Sequence, residues 1–225
     1  MDAADRKRIL FLLDLLGVDP KEKKPGKGKL VLLSGGTVSG KTTIAKKIKR
    51  AHPEFSVINT GDFFREEAKR LGIGISEFMG SKDDSLARLD RAVDARTLRI
   101  LLETDKDIIL TSRFAALWGE ILKMAGKPCL SIFLEVGREE TVGRLSLREF
   151  GKEEARLSEG QKSRLAEELK RDERDTLRYI RVYGLNPQDY GKYAHVINTT
   201  GNTQEGTWEK VRPLLERFLP ENRPD

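Results

Sequence analysis

The stretch that most constrains this chain is Gly35-Gly36-Thr37-Val38-Ser39-Gly40-Lys41-Thr42, a Gly-x4-Gly-Lys-Thr pattern. Ahead of it runs Leu30-Val31-Leu32-Leu33, apolar and of the length of a buried parallel strand. Behind it, Thr43 to Lys49 places Ile44, Ala45 and Ile48 on one helical face. Strand, glycine-rich turn and helix start are the setting that gives the pattern its meaning. Gly35 and Gly40 allow positive φ and let backbone N–H groups approach an anion with no Cβ in the way. A helix starting near Lys41 aims free N–H groups and a positive dipole end at the same anion. Lys41 is placed to reach β- and γ-phosphates, and Thr42 to offer its hydroxyl to Mg²⁺. The loop of residues 35–42, with Gly36, Thr37, Val38 and Ser39 at its apex, reads as a nucleoside triphosphate site.

Length and charge leave room for that reading. The 225 residues suit one α/β domain with an insertion and a sizeable core. A net charge of +6 fits anionic nucleotides, nucleic acid or a lysine-rich surface. Aromatics are 7% of residues and do not interleave with basic ones, so stacking on single-stranded bases is not expected. The one cysteine, Cys129, sits in an apolar run and reads as a small packed hydrophobe, which excludes an internal disulfide framework. His52 and His195 are widely separated and suggest no metal centre. No run approaches the ~18 apolar residues of a membrane span. Arg6, Lys7 and Arg8 precede the short Ile9–Leu13 run, but no small-residue cleavage site follows. The expectation is a cytoplasmic monomer with small-molecule nucleotides as partners and no membrane association.

Along the chain, Ile9, Leu12, Leu13 and Leu16 form a helical stripe ended by Gly17 and Pro20. The lysine-rich run of residues 21–29 reads as a solvated linker, making this helix an appendage to the core. Strands are expected at 55–59, 107–111, 129–134 and 196–198, after the first at 30–33. Helices are expected at 62–71, 75–79, 85–103, 114–125, 138–148 and 203–218. Residues 149–183 are highly charged and read as helical around a loop near Gly160, too polar to be buried within the layers. Strand–helix alternation predicts a five-stranded parallel sheet wrapped by helices, with ligands at the strands' C-terminal ends.

Three clusters fall at those ends: Thr60-Gly61-Asp62-Phe63-Phe64-Arg65, Thr111-Ser112-Arg113, and Arg171 to Arg178. In the third, Arg171, Arg174, Asp175 and Arg178 share one helical face. Arginines gathered around such a loop can clamp an acceptor phosphate and neutralise charge on a transferring phosphoryl group. Each also has a plainer reading, as a surface residue, an ion-pair partner or a salt-bridged solvent face.

These segments resemble those of the nucleoside monophosphate kinases, and most closely the archaeal-type cytidylate kinases. LLSGGTVSGKTTIAKKI is similar to that family's opening segment, and NTGDFFREEAKRLGIGISEFM to its SxGxxFR segment. LDRAVDARTL resembles its IDRxxDxR stretch, and RLSLRE followed by ELKRDERDTLRYIRVYGLN its lid and RY–YG signature. The resemblance spans about residues 29–200. It implies a P-loop NTPase fold at 29–225, with a monophosphate-binding insertion near 60–103 and a lid near 148–180, preceded at 1–28 by the helix and basic linker. It further implies that Gly35, Gly40, Lys41, Thr42 and Thr43 hold ATP phosphates and Mg²⁺, with Arg144 and Arg148 approaching ATP from the lid base. Thr60, Asp62, Arg65, Asp90, Asp94 and Arg113 would line the monophosphate site. Arg171, Asp175 and Arg178 would close on the acceptor and the transferring group.

The sequence departs from the family at Thr111-Ser112-Arg113, where relatives usually carry Glu-Gly-Arg. A glycine with a special backbone angle, replaced by Ser112, would tilt Arg113. The loop also reads Gly-Thr-Val-Ser where relatives tend toward proline, glycine and small residues. The expected reaction is in-line transfer from ATP to CMP or dCMP, with Lys41, Arg113, Arg171 and Arg178 catalytic. Two other readings stand beside it: a kinase for another small acceptor, with Asp62 as base for a hydroxyl, and a nucleotide-dependent binding module using the basic linker.

Overall fold

The computed structural model describes residues 3–19, 24–70, 72, 84–113 and 115–219. Five strands, β1 (Leu30–Ser34), β2 (Ser56–Asn59), β3 (Ile108–Thr111), β4 (Cys129–Glu135) and β5 (His195–Asn198), make one sheet. All pair in parallel, in the order β2-β3-β1-β4-β5, as the strand–helix alternation predicts. β1 is central, and its five residues are fully buried. With a strand period of two, Leu30 and Leu32 enter the core on one face while Val31 and Leu33 enter the core on the other.

The helices are α1 (Ala3–Leu16), α2 (Lys41–Ala51), α3 (Thr60–Arg70) and α4 (Asp84–Glu103), then α5 (Ala115–Met124), α6 (Arg138–Phe150), α7 (Glu159–Tyr183) and α8 (Gln204–Phe218). Residues of α1, α4, α5 and α7 close one face of the sheet; residues of α2 and α8 close the other. Register fixes where the ligand edge falls. Leu33 of β1 is level with Thr111 of β3 and Ile132 of β4, and Asn59 of β2 is level with Thr111. The residues that follow β1, β2 and β3 therefore emerge side by side.

Three expectations are corrected. The first helix is no appendage: Ile9, Leu12, Leu13 and Leu16 are buried in the same core as Leu98, Leu101 and Trp118. Its apolar stripe needs a partner, and the α4 face supplies it. The linker, over its described residues 24–29, is not loosely solvated either. Gly26 N donates to Leu102 O at 2.8 Å, Gly28 N to Thr104 O at 3.2 Å, and Lys29 N to Asp107 Oδ1 at 2.7 Å. Third, the charged block turns not near Gly160 but at 151–158. Gly151, left-handed at φ 64°, ends α6, and Ser158 with Gln161 forms a capping box that starts α7. Nor is that block all surface, since Tyr179 and Tyr183 at the end of α7 join the main core. The helix expected at 75–79 lies outside the described residues.

The close backbone approach makes Gly28 sensitive. A Cβ there would sit 2.1 Å from the carbonyl oxygen of Lys106, whereas one at Gly160, inside the first turn of α7, meets nothing within 4 Å. Gly28→Ala is expected to cost roughly 1–3 kcal/mol through backbone displacement, and Gly160→Ala to gain up to about 1 kcal/mol from helix propensity. Urea unfolding monitored by circular dichroism measures both.

Candidate active site

The loop between β1 and α2 is shaped by three positive-φ residues. Gly35 stands at φ 144°, and a Cβ on it would lie 2.4 Å from Leu134 O, so glycine is required by space as well as by angle. Gly40, at φ 97°, is the N-cap of α2 and leaves the first N–H groups of that helix facing the loop. Val38, at φ 52°, is the only non-glycine residue with positive φ among the described residues. A left-handed β-branched residue costs roughly 1–2 kcal/mol.

Lys41 Nζ lies beneath the loop and donates to Gly35 O at 2.8 Å and Gly36 O at 2.6 Å. Burial, reinforced by the nearby Arg113 guanidinium, pulls its pKa down to about 7. An ammonium held this way lacks an anionic partner able to restore its ordinary value, and a polyphosphate supplies one.

Beside the loop runs a ladder of charges in which Asp90, Asp94 and Asp175 are buried and Asp172, Arg113 and Arg178 partly so. Asp172 of α7 accepts from Thr37 N and from Thr37 Oγ1, each at 2.7 Å, and pairs with Arg113 at 2.9 Å. Burial alone would raise the Asp172 carboxyl, but Arg113 and the Thr37 donors outweigh it and hold it below the usual range. Arg113 also pairs with Asp175, which accepts from Arg178 Nη1 at 2.6 Å. Arg178 Nε continues the ladder to Asp90 Oδ2 on α4, at 2.6 Å. There burial prevails over Arg178, and the Asp90 carboxyl is shifted upward. Asp94, one turn along, accepts from Tyr179 at 2.9 Å and Tyr183 at 2.6 Å. Its pKa rises to about 7, chiefly through burial and then through repulsion from Asp90.

Two clefts flank the loop. One, of about 370 Å³, is lined by Lys41, Thr60, Arg65, Asp90, Asp94, Ser112, Arg113, Arg171, Asp175 and Arg178, among others. The other, of about 300 Å³, is lined by Val38, Ser39, Gly40, Thr43, Arg144 and the 199–207 segment. The expected acceptor residues thus converge on the first cleft, apart from Asp62, which does not line it and pairs instead with Arg65 near its exposed rim. Of the expected ATP-side residues, Val38, Ser39, Gly40, Thr43 and Arg144 line the second, Lys41 lines the first, and Gly35, Gly36 and Thr37 line neither. Arg144 Nη2 donates to Thr199 O at 2.7 Å, so the arginine bridges α6 and the loop after β5. Arg148 lines neither cleft and pairs with Glu149, although its charge still acts on Lys41. Thr42 stands exposed at the start of α2. Arg174, expected to share the inward face, instead points to Glu167 at 3.3 Å on the exposed side. The Nε of Arg171 is buried at the cleft with no hydrogen-bond partner among the described residues.

Ser112 does not disturb Arg113. It is buried, takes a negative φ as an ordinary residue, and its N–H donates to Leu33 O at 3.0 Å. Sequence reading missed Ser34 and Asp172. Ser34, fully buried, donates to Arg113 O at 2.8 Å and stands 2.9 Å from the Tyr193 hydroxyl, tying the loop's start to the residues after β3. Asp172 was detectable in principle, because it lies three residues before Asp175 on the same helix.

The AAA domain family matches residues 34–174. The cytidylate kinase of Methanopyrus kandleri is 31% identical over 202 residues, covering 85% of this chain and 97% of that one. That of Pyrococcus horikoshii is 30% identical over 196 residues, covering 86% and 92%. The chain belongs to the archaeal cytidylate kinase family. As a nucleoside monophosphate kinase of the P-loop class, it has its glycine-rich loop, Arg113 and the charged helix α7 at one sheet edge. Solved structures share the fold: thymidylate kinase from Candida albicans superposes with a TM-score of 0.50 at 16% identity, covering 85% of this chain and 92% of that one. An uncharacterized protein from Eubacterium ventriosum does so with a TM-score of 0.56 at 16% identity, covering 83% and 98%.

The lowered Lys41 pKa gives the kinase a signed pH dependence. Above about pH 7 free Lys41 is largely neutral, and phosphates bound at the loop would draw it back to the charged form. ATP binding at pH 8.5 is therefore expected to take up close to one proton, fading toward pH 6, and affinity is expected to fall as pH rises through 7 to 9. Titration calorimetry in buffers of different ionisation enthalpy reads this directly, and Lys41→Met removes the uptake.

Proposed function

We propose that this enzyme transfers the γ-phosphoryl group of Mg·ATP to a pyrimidine nucleoside monophosphate, CMP or dCMP. The observation that carries the reading is the meeting of two clefts at one phosphate loop, with Lys41, Arg113 and Arg171 on the acceptor side. The names of the relatives supply the pyrimidine assignment. ATP would lie with its base and ribose toward Arg144, Thr199 and Thr207 and its phosphates along residues 35–42. Mg²⁺ asks for one or two protein oxygens and completes its octahedron with water and phosphate oxygens. The exposed Thr42 hydroxyl fits that modest demand. The ion would neutralise charge on the β- and γ-phosphates.

The acceptor would occupy the larger cleft, its phosphate against Arg65 and Arg113 and its nucleoside toward Thr60, Asp90 and Asp94. Its phosphate oxygen is already anionic at neutral pH, so no general base is required for in-line attack. Catalysis then rests on positioning and on charge stabilisation by Lys41, Arg113, Arg171 and Arg178. The Nε of Arg171, without a hydrogen-bond partner among the described residues, supports this role, since a buried donor without an acceptor is costly until an anion arrives. The segment at 148–180 would act as a lid that excludes water during transfer. A hydroxyl acceptor is less well served, because Asp62, its candidate base, is held by Arg65. The enzyme is expected to work as a monomer in the cytoplasm.

ADP release from Mg·ATP, measured with CMP, dCMP, UMP, AMP and GMP separately, tests the reading. Turnover with CMP or dCMP well above the other three is expected. Activity with none of the five would overturn the acceptor assignment. Lys41→Ala is expected to lower kcat by roughly 10²–10³-fold, the loss typical of one preorganised donor at developing charge.

A further inference from the structure

Val38 combines two features that the reaction scheme does not use. Its backbone is left-handed at φ 52°, where a β-branched residue persists only if its surroundings hold it there. Its side chain packs against a small separate core made of Leu145 from α6, Leu157 from the corner and Leu165 from α7. All three leucines are buried within an otherwise highly charged segment. The rest of that cluster also comes from α6 and α7; Val38 is its one contributor from outside residues 142–169 among the described residues. The neighbouring backbone is gripped from the same segment. Val38 O accepts from Arg144 Nη1 at 3.3 Å, and Thr37 is held by Asp172.

We propose that Val38 is a positioning residue that couples the shape of the phosphate loop to the seating of the α6–α7 corner. With the corner seated, its leucine core receives the valine side chain and keeps the loop apex in its strained form. With the corner withdrawn, nothing offsets the strain at Val38 and the apex relaxes. The dependence is reciprocal: a nucleotide that favours the strained loop must also favour the seated corner. The inference rests on phosphoryl transfer at this loop, and not on which monophosphate accepts.

The test is a double-mutant cycle of Val38→Ala and Leu165→Ala in the full chain. It is read as kcat per folded enzyme, well below each melting temperature, and as the ATP-induced rise in melting temperature. Each single variant is expected to lose about tenfold in kcat, as small misplacements do, with acceptor KM changed less than about threefold. The double variant is expected to be no more than about twofold worse than either single one, because both remove the same coupling. In Val38→Ala, ADP release without acceptor is expected to rise relative to acceptor-dependent release, since a loosely seated corner admits water. Multiplicative losses, or Val38→Ala with a lower melting temperature but parental kcat, overturn the proposal and leave a purely structural contact. The thermal-shift cycle needs no acceptor. If all five monophosphates are inert, it still decides the role of Val38, while the acceptor reading alone fails.

Discussion

The arrangement depends on the pairing of Arg113 with Asp172 and Asp175. Arg113 follows the C-terminal end of β3, and the two aspartates project one turn apart from α7. Buried charges are tolerated only when paired and hydrogen-bonded, and removing one partner from such a set costs about 3–5 kcal/mol. That requirement fixes the azimuth of α7. With Asp172 and Asp175 turned to Arg113, Arg178 and Tyr179 face α4 and meet Asp90 and Asp94. Charge pairing of this kind adds little net stability, but it penalises any other rotation or register of the helix.

The same constraint links the two halves of the candidate site. Asp172 also accepts from the apex of the glycine-rich loop at Thr37, so one helix touches the loop, the residue after β3 and helix α4. Arg113 stays directed toward the cleft with Ser112 before it. Its guanidinium is held by two carboxylates, and the backbone at Ser112 needs no special angle.

Much of the frame was legible from local signals. Residues 30–33 read as a buried strand because they are continuously apolar, and the five-stranded parallel sheet followed from strand–helix alternation. The Gly-x4-Gly-Lys-Thr pattern located the loop through steric rules that act over a few residues. Two of the errors fell where partners are remote in sequence, and the third was local. The stripe on α1 announced a buried face without naming α4 as what covers it. The lysine-rich run looked like solvated chain because the carbonyls that zip it down belong to residues 102–107. The loop assigned near Gly160 belongs at Gly151 because a Ser158–Gln161 capping box carries Gly160 into the helix.

By itself the sequence determined the phosphate loop, the parallel α/β frame and the set of arginines and aspartates gathered at its ligand edge. Each follows from short-range rules: which residues allow positive φ, which alternate apolar and polar, and which lie a helical turn apart. Tertiary structure alone decided which charge meets which. It set Asp172 on Thr37, turned Arg174 outward to Glu167, and left Arg171 Nε buried without a hydrogen-bond partner among the described residues. It also placed Val38 in a leucine core supplied by a segment more than a hundred residues later. The physical reason is that helix rotation and packing depth follow from burying apolar surface while leaving no buried charge unpaired. Those conditions bind the whole chain at once and cannot be evaluated on any one stretch of it.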